Sequence, residues 1–187
     1  YLLCASLLPL MISSGMIYSI FSLYMEDLGA SRSQIGLIFT VSAAAGIFAA
    51  PLFGRLSDRI GRKKVMIISM ISFSIIFFLY SIARTYIHLF PIQALEGAIW
   101  AALGTTIPAF IADIVPAEER GESMGIYNMT WNLGWVIGPV MGGFLAENVG
   151  FRWCFSFCAV LILFGLVFLL IFVGEPKDLS QDHRREE

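Results

Sequence analysis

The stretch GRLSDRIGRKK, Gly54 to Lys64, sets five basic residues around a single acid, Asp58. An acid among guanidinium groups can make short, charge-assisted hydrogen bonds. Asp58 can pair with a cation or cap the start of a helix. Arg62 can reach a second carboxylate, and Asp113, far along the chain, is the best candidate. Arg59 shares the loop, and Gly54 and Gly61 frame it, allowing a tight turn and close helix approach. A second place for chemistry is Glu96, the one acid inside the apolar run from Tyr86 to Ala112. An ionisable residue there is costly and points to a functional site. At helical spacing Gln93 and Trp100 fall on the face of Glu96. A stripe of Gln, Glu and Trp can line a water-filled cavity, where Glu96 can bind a proton or meet a cationic substrate. The plainer alternative is a structural hydrogen bond.

Other chemistries find little support. Cys4, Cys154 and Cys158 sit in apolar runs. A metal site would need deprotonated thiolates and further ligands, and none lies near, so they read as small apolar side chains. No nucleophile has a base at a plausible spacing, and no glycine-rich loop suits a phosphate. His88 reads as a surface residue. A basic cluster can signal nucleic acid, but one pinned between two long apolar runs does not.

Those runs are the elements that hold the polar residues in place. Of the 187 residues 58% are hydrophobic and only 14% charged, far from the quarter charged of soluble domains. A helix crosses a bilayer with about 20 apolar residues. Six runs qualify: Tyr1 to Met25, Gln34 to Gly54, Val65 to Ala83, Tyr86 to Ala112, Ser123 to Ala146 and Trp153 to Gly174. Continuous runs, rather than short alternating ones, favour helices over a barrel. The expected organisation is a six-helix domain over 1–173 and a polar linker or tail over 174–187. The chain starts inside an apolar run without Met, which reads as a piece of a longer one.

Lysine and arginine orient the bundle. Arg55, Arg59, Arg62, Lys63, Lys64, Arg120, Lys177, Arg184 and Arg185 fall on one side, and only Arg32, Arg84 and Arg152 on the other. The positive-inside rule makes the first side cytoplasmic, with both chain ends there. Lys63 and Lys64 can also meet anionic headgroups. A bland reading of the charged loop is that it sets topology and nothing else, but its glycine frame and central acid exceed what topology requires.

The charged loop has an echo. PLFG-RLSDRIGRK from Pro51 aligns with PVMGGFLAENVGFR from Pro139 when one residue is inserted, so that Asp58 meets Glu147, Gly61 meets Gly150 and Lys63 meets Arg152. The copies lie three helices apart and hence on opposite sides of the membrane, as a 3+3 inverted repeat requires.

GRLSDRIGRKK resembles motif A of the major facilitator superfamily, between its second and third helices. GWVIGPVMGG, from Gly134 to Gly143, resembles motif C of its fifth helix, a motif associated with the family's drug:proton antiporters. ADIVPAEERG, Ala112 to Gly121, is similar to its loop between helices four and five. The resemblance implies an all-α membrane fold, the amino-terminal six-helix half of twelve. It places helices one, two, four and five toward the centre or the other half, and three and six outside. It also implies that motif A latches the two halves on the cytoplasmic side, with a partner for Asp58 in the second half. In motif C, Thr130, Gly134, Gly138 and Gly142 recur every four residues as a ridge for close helix approach, with Gly143 beside it. Pro139 frees the carbonyl of Trp135, so the helix can bend. The chain departs from the family at Gln93, where its helix-four motif usually carries an arginine linked to proton transfer; this weakens the case for proton coupling.

The expectation is a secondary transporter in the plasma membrane, not an enzyme and with no cofactor or metal. It would export small amphipathic molecules by alternating access, with protons as a candidate counter-substrate. Its partners would be the substrate, the bilayer and a second six-helix half or second copy. Tyr18 in the first run, and Asn128 and Asn132 in the fifth, are candidate cavity residues alongside Glu96, Gln93 and Trp100. Met, aromatic and amide side chains there can form an adaptable cavity, or equally an ordinary packing seam. One rival is a facilitator or symporter for a sugar or organic acid. Another is a non-transporting six-helix interaction protein, for which a transcript ending soon after Glu187 would argue.

Overall fold

The computed structural model describes residues 1–174, which fold into six long helices with no strand among them. The expected tail, apart from Gly174, lies outside the described residues. The helices are α1 (Leu2–Asp27), α2 (Arg32–Ile60), α3 (Arg62–Ile82), α4 (Leu89–Ile114), α5 (Arg120–Val149) and α6 (Phe151–Phe172). Short 3₁₀ turns at Tyr86–His88 and Ala117–Glu119 lead into α4 and α5. Five helices are long and apolar enough to cross a membrane; the exception is α5. Its 30 residues are ample in length, but glycine, asparagine and tryptophan dilute its apolar content.

Local signals explain the helix ends. Ser31 caps α2 in a reciprocal box: its hydroxyl accepts from the Gln34 amide N–H, and the Gln34 side chain accepts from the Ser31 N–H. Gly61 is the sole residue between α2 and α3, at φ 101°, and Gly150 the sole residue between α5 and α6, at φ 87°. A side chain would be strained at either, so glycine allows two helices to meet without a loop.

The two glycines belong to a repeat that governs the whole bundle. Helix α1 packs on α5 and α6, just as α4 packs on α2 and α3, while α3 packs on α6. Exchanging α1 with α4, α2 with α5 and α3 with α6 leaves these pairings unchanged. The ridge repeats too. Ser42, Gly46, Ala50 and Gly54 precede and follow Pro51 at the spacing that Thr130, Gly134, Gly138 and Gly142 hold around Pro139. In one copy Gly97 of α4 lies so close to Ser42 that a methyl group would overlap its backbone carbonyl. In the other, a methyl on Gly15 of α1 would sit 2.7 Å from the Gly134 carbonyl oxygen.

The core lies between α1, α3, α4 and α6, around Phe21, Tyr24, Phe73, Phe77, Tyr80 and Phe155. Phe21 and Tyr80 approach to 4.8 Å between ring centroids, as do Tyr24 and Phe155. Buried hydroxyls satisfy themselves on neighbouring backbones: Tyr24 donates to the Tyr80 carbonyl at 2.6 Å, and Ser74 to the Ala159 carbonyl at 2.9 Å. By contrast α2 and α5 carry long exposed apolar faces, including Ile47, Phe48 and Leu52 on one, and Val136, Val140 and Phe144 on the other.

Candidate functional site

At the end of the bundle that holds the charged loop, Arg62 opens α3 and faces two acids. Its Nε donates to Asp113 Oδ2 at 2.6 Å, and its Nη1 lies 2.8 Å from Asp58 Oδ1. Nη1 also donates to the Ser57 hydroxyl at 3.1 Å. All three charges stand at the helix end that the backbone dipole disfavours. Asp58 and Asp113 close α2 and α4, where partial negative charge gathers, and Arg62 sits at a positive N-terminus. Each is therefore relieved chiefly by the others. Partial burial works against the charge of Arg62, but the pairs with Asp113 and Asp58 outweigh it and raise its pKa above the ordinary arginine value. Asp58, expected to find its partner outside this chain, shares Arg62 with Asp113. Arg59 points to solvent. Arg120 donates to the carbonyls of Ala112 and Val115, tying down the end of α4 that carries Asp113.

The glycines sort into two groups. Positions Gly134, Gly138 and Gly142 are buried against α1, and a methyl on Gly138 would lie 2.7 Å from Gly15 Cα and from the Ile12 carbonyl oxygen. Nothing lies within 4 Å of a methyl at Gly54 or Gly143. So Gly54 makes no close helix approach among the described residues, and the stretch expected as a loop is helical except for Gly61, on which the turn rests alone. Pro139 lies within α5, which continues through it.

Glu96 is buried inside the six-helix core at 1% exposure, with Gln93 likewise at 1%. The stripe expected to line an open cavity is thus split: Glu96 and Gln93 point inward, while Trp100 is half-buried. The Tyr80 hydroxyl of α3 donates to Glu96 Oε2 at 2.5 Å. Tyr18 and Trp100 lie beside the same carboxylate. Glu96 Oε1 and both polar atoms of the Gln93 amide have no hydrogen-bond partner. Trp100 meets Phe73 at 4.8 Å and Trp131 at 5.2 Å, and Tyr18 meets Trp135 at 6.1 Å. Asn128 and Asn132 are exposed on α5, the Asn132 amide donating to the Asn128 carbonyl. The arrangement is a shielded acid behind tryptophan and tyrosine rings, with exposed amides on the neighbouring helix. Among the described residues no group of three or more His, Cys, Asp or Glu could hold a metal.

The sequence profile of the Major Facilitator Superfamily matches residues 3–187. This chain belongs to that superfamily. Among curated members, the quinolone resistance protein NorA of Staphylococcus aureus is 25% identical over 163 residues, 87% of this chain and 42% of NorA. Multidrug resistance protein 1 of Bacillus subtilis is 31% identical over the same length, again 42% of the relative. The chain therefore spans less than half the length of these curated relatives. A solved structure of the human organic anion transporter MFSD10 (TETRAN) shares the fold with a TM-score of 0.78 at 17% identity, over 96% of this chain and 48% of that one. As a superfamily member the chain is a multi-pass membrane protein of a transporter family.

Tyr80 and Ser57 are the polar contacts that sequence reasoning missed. Tyr80 stands in a charge-free apolar run where nothing separates an inward hydroxyl from one aimed at a headgroup. Ser57 stood within the charged loop, overshadowed by its neighbours.

Proposed function

We propose that the chain is the amino-terminal half of a secondary active transporter that exports small amphipathic molecules by alternating access, in exchange for protons. The observation that carries this is Glu96, the buried acid at the heart of a membrane bundle, with one oxygen unpaired and tyrosine and tryptophan beside it. An acid that ferries protons has to be shielded from bulk water yet lie close to the path of the substrate. Tyr18 and Trp100 separate Glu96 from the partly exposed side of α1, α4 and α5, and Trp131, Trp135, Asn128 and Asn132 continue that surface. Rings and amides together suit molecules that are part apolar and part polar. The drug-resistance names of the curated relatives support efflux.

The Arg62–Asp113–Asp58 cluster is the cytoplasmic latch, holding α2, α3 and α4 together while that side is closed. A second six-helix half, or a second copy, covers the exposed faces of α2 and α5 and completes the cavity. The protein lies in the plasma membrane with its ends in the cytoplasm. Each proton that enters across the membrane potential releases about 2.3 kcal/mol per 100 mV, which drives export of a neutral solute, whereas one-for-one exchange with a cation moves no net charge and draws on the pH gradient alone.

Inverted membrane vesicles carrying the gene's full product test the reading. With an acidified interior, they should accumulate a fluorescent amphipathic cation, and collapse of the proton gradient should release it. Dye uptake equal to that of vesicles lacking the protein would refute export of this class.

A further inference from the structure

Glu96 brings a negative charge into the bundle with no cation in reach. The two ion pairs among the described residues both belong to Arg62, in the cytoplasmic latch. The titratable groups facing Glu96 are Tyr80 from α3 and Tyr18 from α1. From its own helix come Gln93 and Trp100. Helix α2 meets this stretch of α4 with Ser42 and Gly46, against Gly97, and α5 reaches it through Trp131 on Trp100. None of these is basic. Gln93 lies where the arginine of the resembled helix-four motif would stand, so the carboxylate also lacks that counter-charge.

Three buried polar atoms remain without a partner here: Glu96 Oε1, Gln93 Oε1 and Gln93 Nε2. Buried polar atoms are normally satisfied, and an unpaired carboxylate in a membrane core is the costliest kind. A proton on Glu96 would neutralise the charge but leave the Gln93 carbonyl without a donor unless that proton pointed to it. A small cation bound by oxygens would answer both the charge and the carbonyl, leaving only the Gln93 Nε2 donor without an acceptor.

We propose that Glu96, Gln93, Tyr80 and Tyr18 form a sodium site inside this half, in which Na⁺ competes with the proton for the same carboxylate. Hard cations take oxygen ligands, and these four side chains offer a carboxylate, an amide carbonyl and two phenolic oxygens from α1, α3 and α4. With a single acid present, one monovalent ion makes the site neutral, whereas a divalent ion would leave an uncompensated positive charge. The proposal builds on the transport reading by giving the coupling residue a second ion, but binding can be measured with no transport at all.

The test uses the gene's full product, purified in detergent. Tryptophan fluorescence and thermal unfolding are followed as NaCl replaces choline chloride at constant ionic strength, with KCl as the size control. Trp100, beside the carboxylate, is the expected reporter. Sodium should give a saturable fluorescence change and a rise in unfolding temperature that neither choline nor potassium gives. Its apparent affinity should weaken by up to about tenfold per pH unit once protons fill the site. Glu96→Gln should abolish the sodium response at every pH, and Gln93→Leu should weaken it at least tenfold. Unfolding in choline alone reports whether each variant is folded, and Glu96→Asp, which keeps the charge, should retain a weakened response. Equal responses to sodium, potassium and choline, or a sodium response that survives Glu96→Gln, would overturn the site. A signal that follows pH but not sodium would overturn the sodium assignment and leave proton-driven export standing. Sodium binding in a protein that moves no amphipathic substrate would keep the site and remove the transport reading instead.

Discussion

Tyr80 is the direct hydrogen-bonding neighbour of Glu96. Its hydroxyl satisfies one carboxylate oxygen, and its own backbone carbonyl is held by Tyr24. In Tyr80→Phe the ring still packs against Phe21, but neither oxygen of Glu96 keeps a hydrogen-bond donor. A lost partner for a buried polar group costs about 1–3 kcal/mol, so chemical unfolding in micelles should show a loss of that size, with transport impaired. Arg62 behaves differently. Asp58 and Asp113 are 61% and 42% exposed at the side chain, so solvent and salt screen the cluster and it adds little to stability. Arg62→Ala should change unfolding stability by less than about 1 kcal/mol, yet, if the proposed latch role holds, make cysteine probes at the Asp58 and Asp113 ends of α2 and α4 react faster. Because the pKa of Arg62 is raised, its ion-pair contribution is fully present below the ordinary arginine value and is lost only as pH rises through the raised one. The cluster therefore does not weaken from the Arg62 side at physiological pH. Sequence spacing was enough to place Gln93 and Glu96 on one face, because both lie on one helix. It could not tell whether that face met water or Tyr80, because that depends on where α3 packs. Nor could it show that Asp58 and Asp113 share one guanidinium: the single glycine Gly61 sets Asp58 beside Arg62, but Asp113 arrives on α4, through the packing of α4 on α2 and α3.

At the scale of the element, the small-residue ridge of α5 was legible as a period of four but not in its extent. Gly134, Gly138 and Gly142 fall on that period and meet α1; Gly143 is one residue off and meets nothing, and Gly54, on the matching ridge of α2, meets nothing either. The period set Gly134, Gly138 and Gly142 on the ridge with Gly143 beside it, and Gly54 entered only as one end of the charged stretch. The distinction predicts opposite outcomes within two neighbouring turns. In Gly138→Ala the methyl would press on the backbone of α1 at Gly15 and Ile12, which cannot rotate away, so the helices must part. Overpacking of this kind costs about 1–3 kcal/mol. Gly143→Ala adds a methyl in open space and should be neutral or gain up to about 1 kcal/mol from helix propensity. Thermal unfolding of the two variants side by side would decide it, and a Gly138→Ala as stable as Gly143→Ala and the parent would mean that α1 and α5 do not pack on this ridge.

At the scale of the molecule, the inverted repeat was readable from one loop and its echo, because the turn chemistry is shared: each copy needs one glycine at positive φ between two helices. The rest of the repeat was not readable, since α1 and α4 have diverged in polar content while keeping their packing partners. Membership of the Major Facilitator Superfamily and the six-helix fold follow from the matches and the architecture together. Exchange of substrate for protons is the central claim that remains to be measured. Proteoliposomes carrying the gene's full product, loaded with an amphipathic cation and a pH-sensitive dye, would be diluted into substrate-free buffer with no pH gradient. As substrate leaves, protons should enter and the interior should acidify, and Glu96→Gln should abolish that acidification. Substrate efflux with no change of internal pH would contradict exchange and point to a facilitator, and an alkaline shift would point to symport.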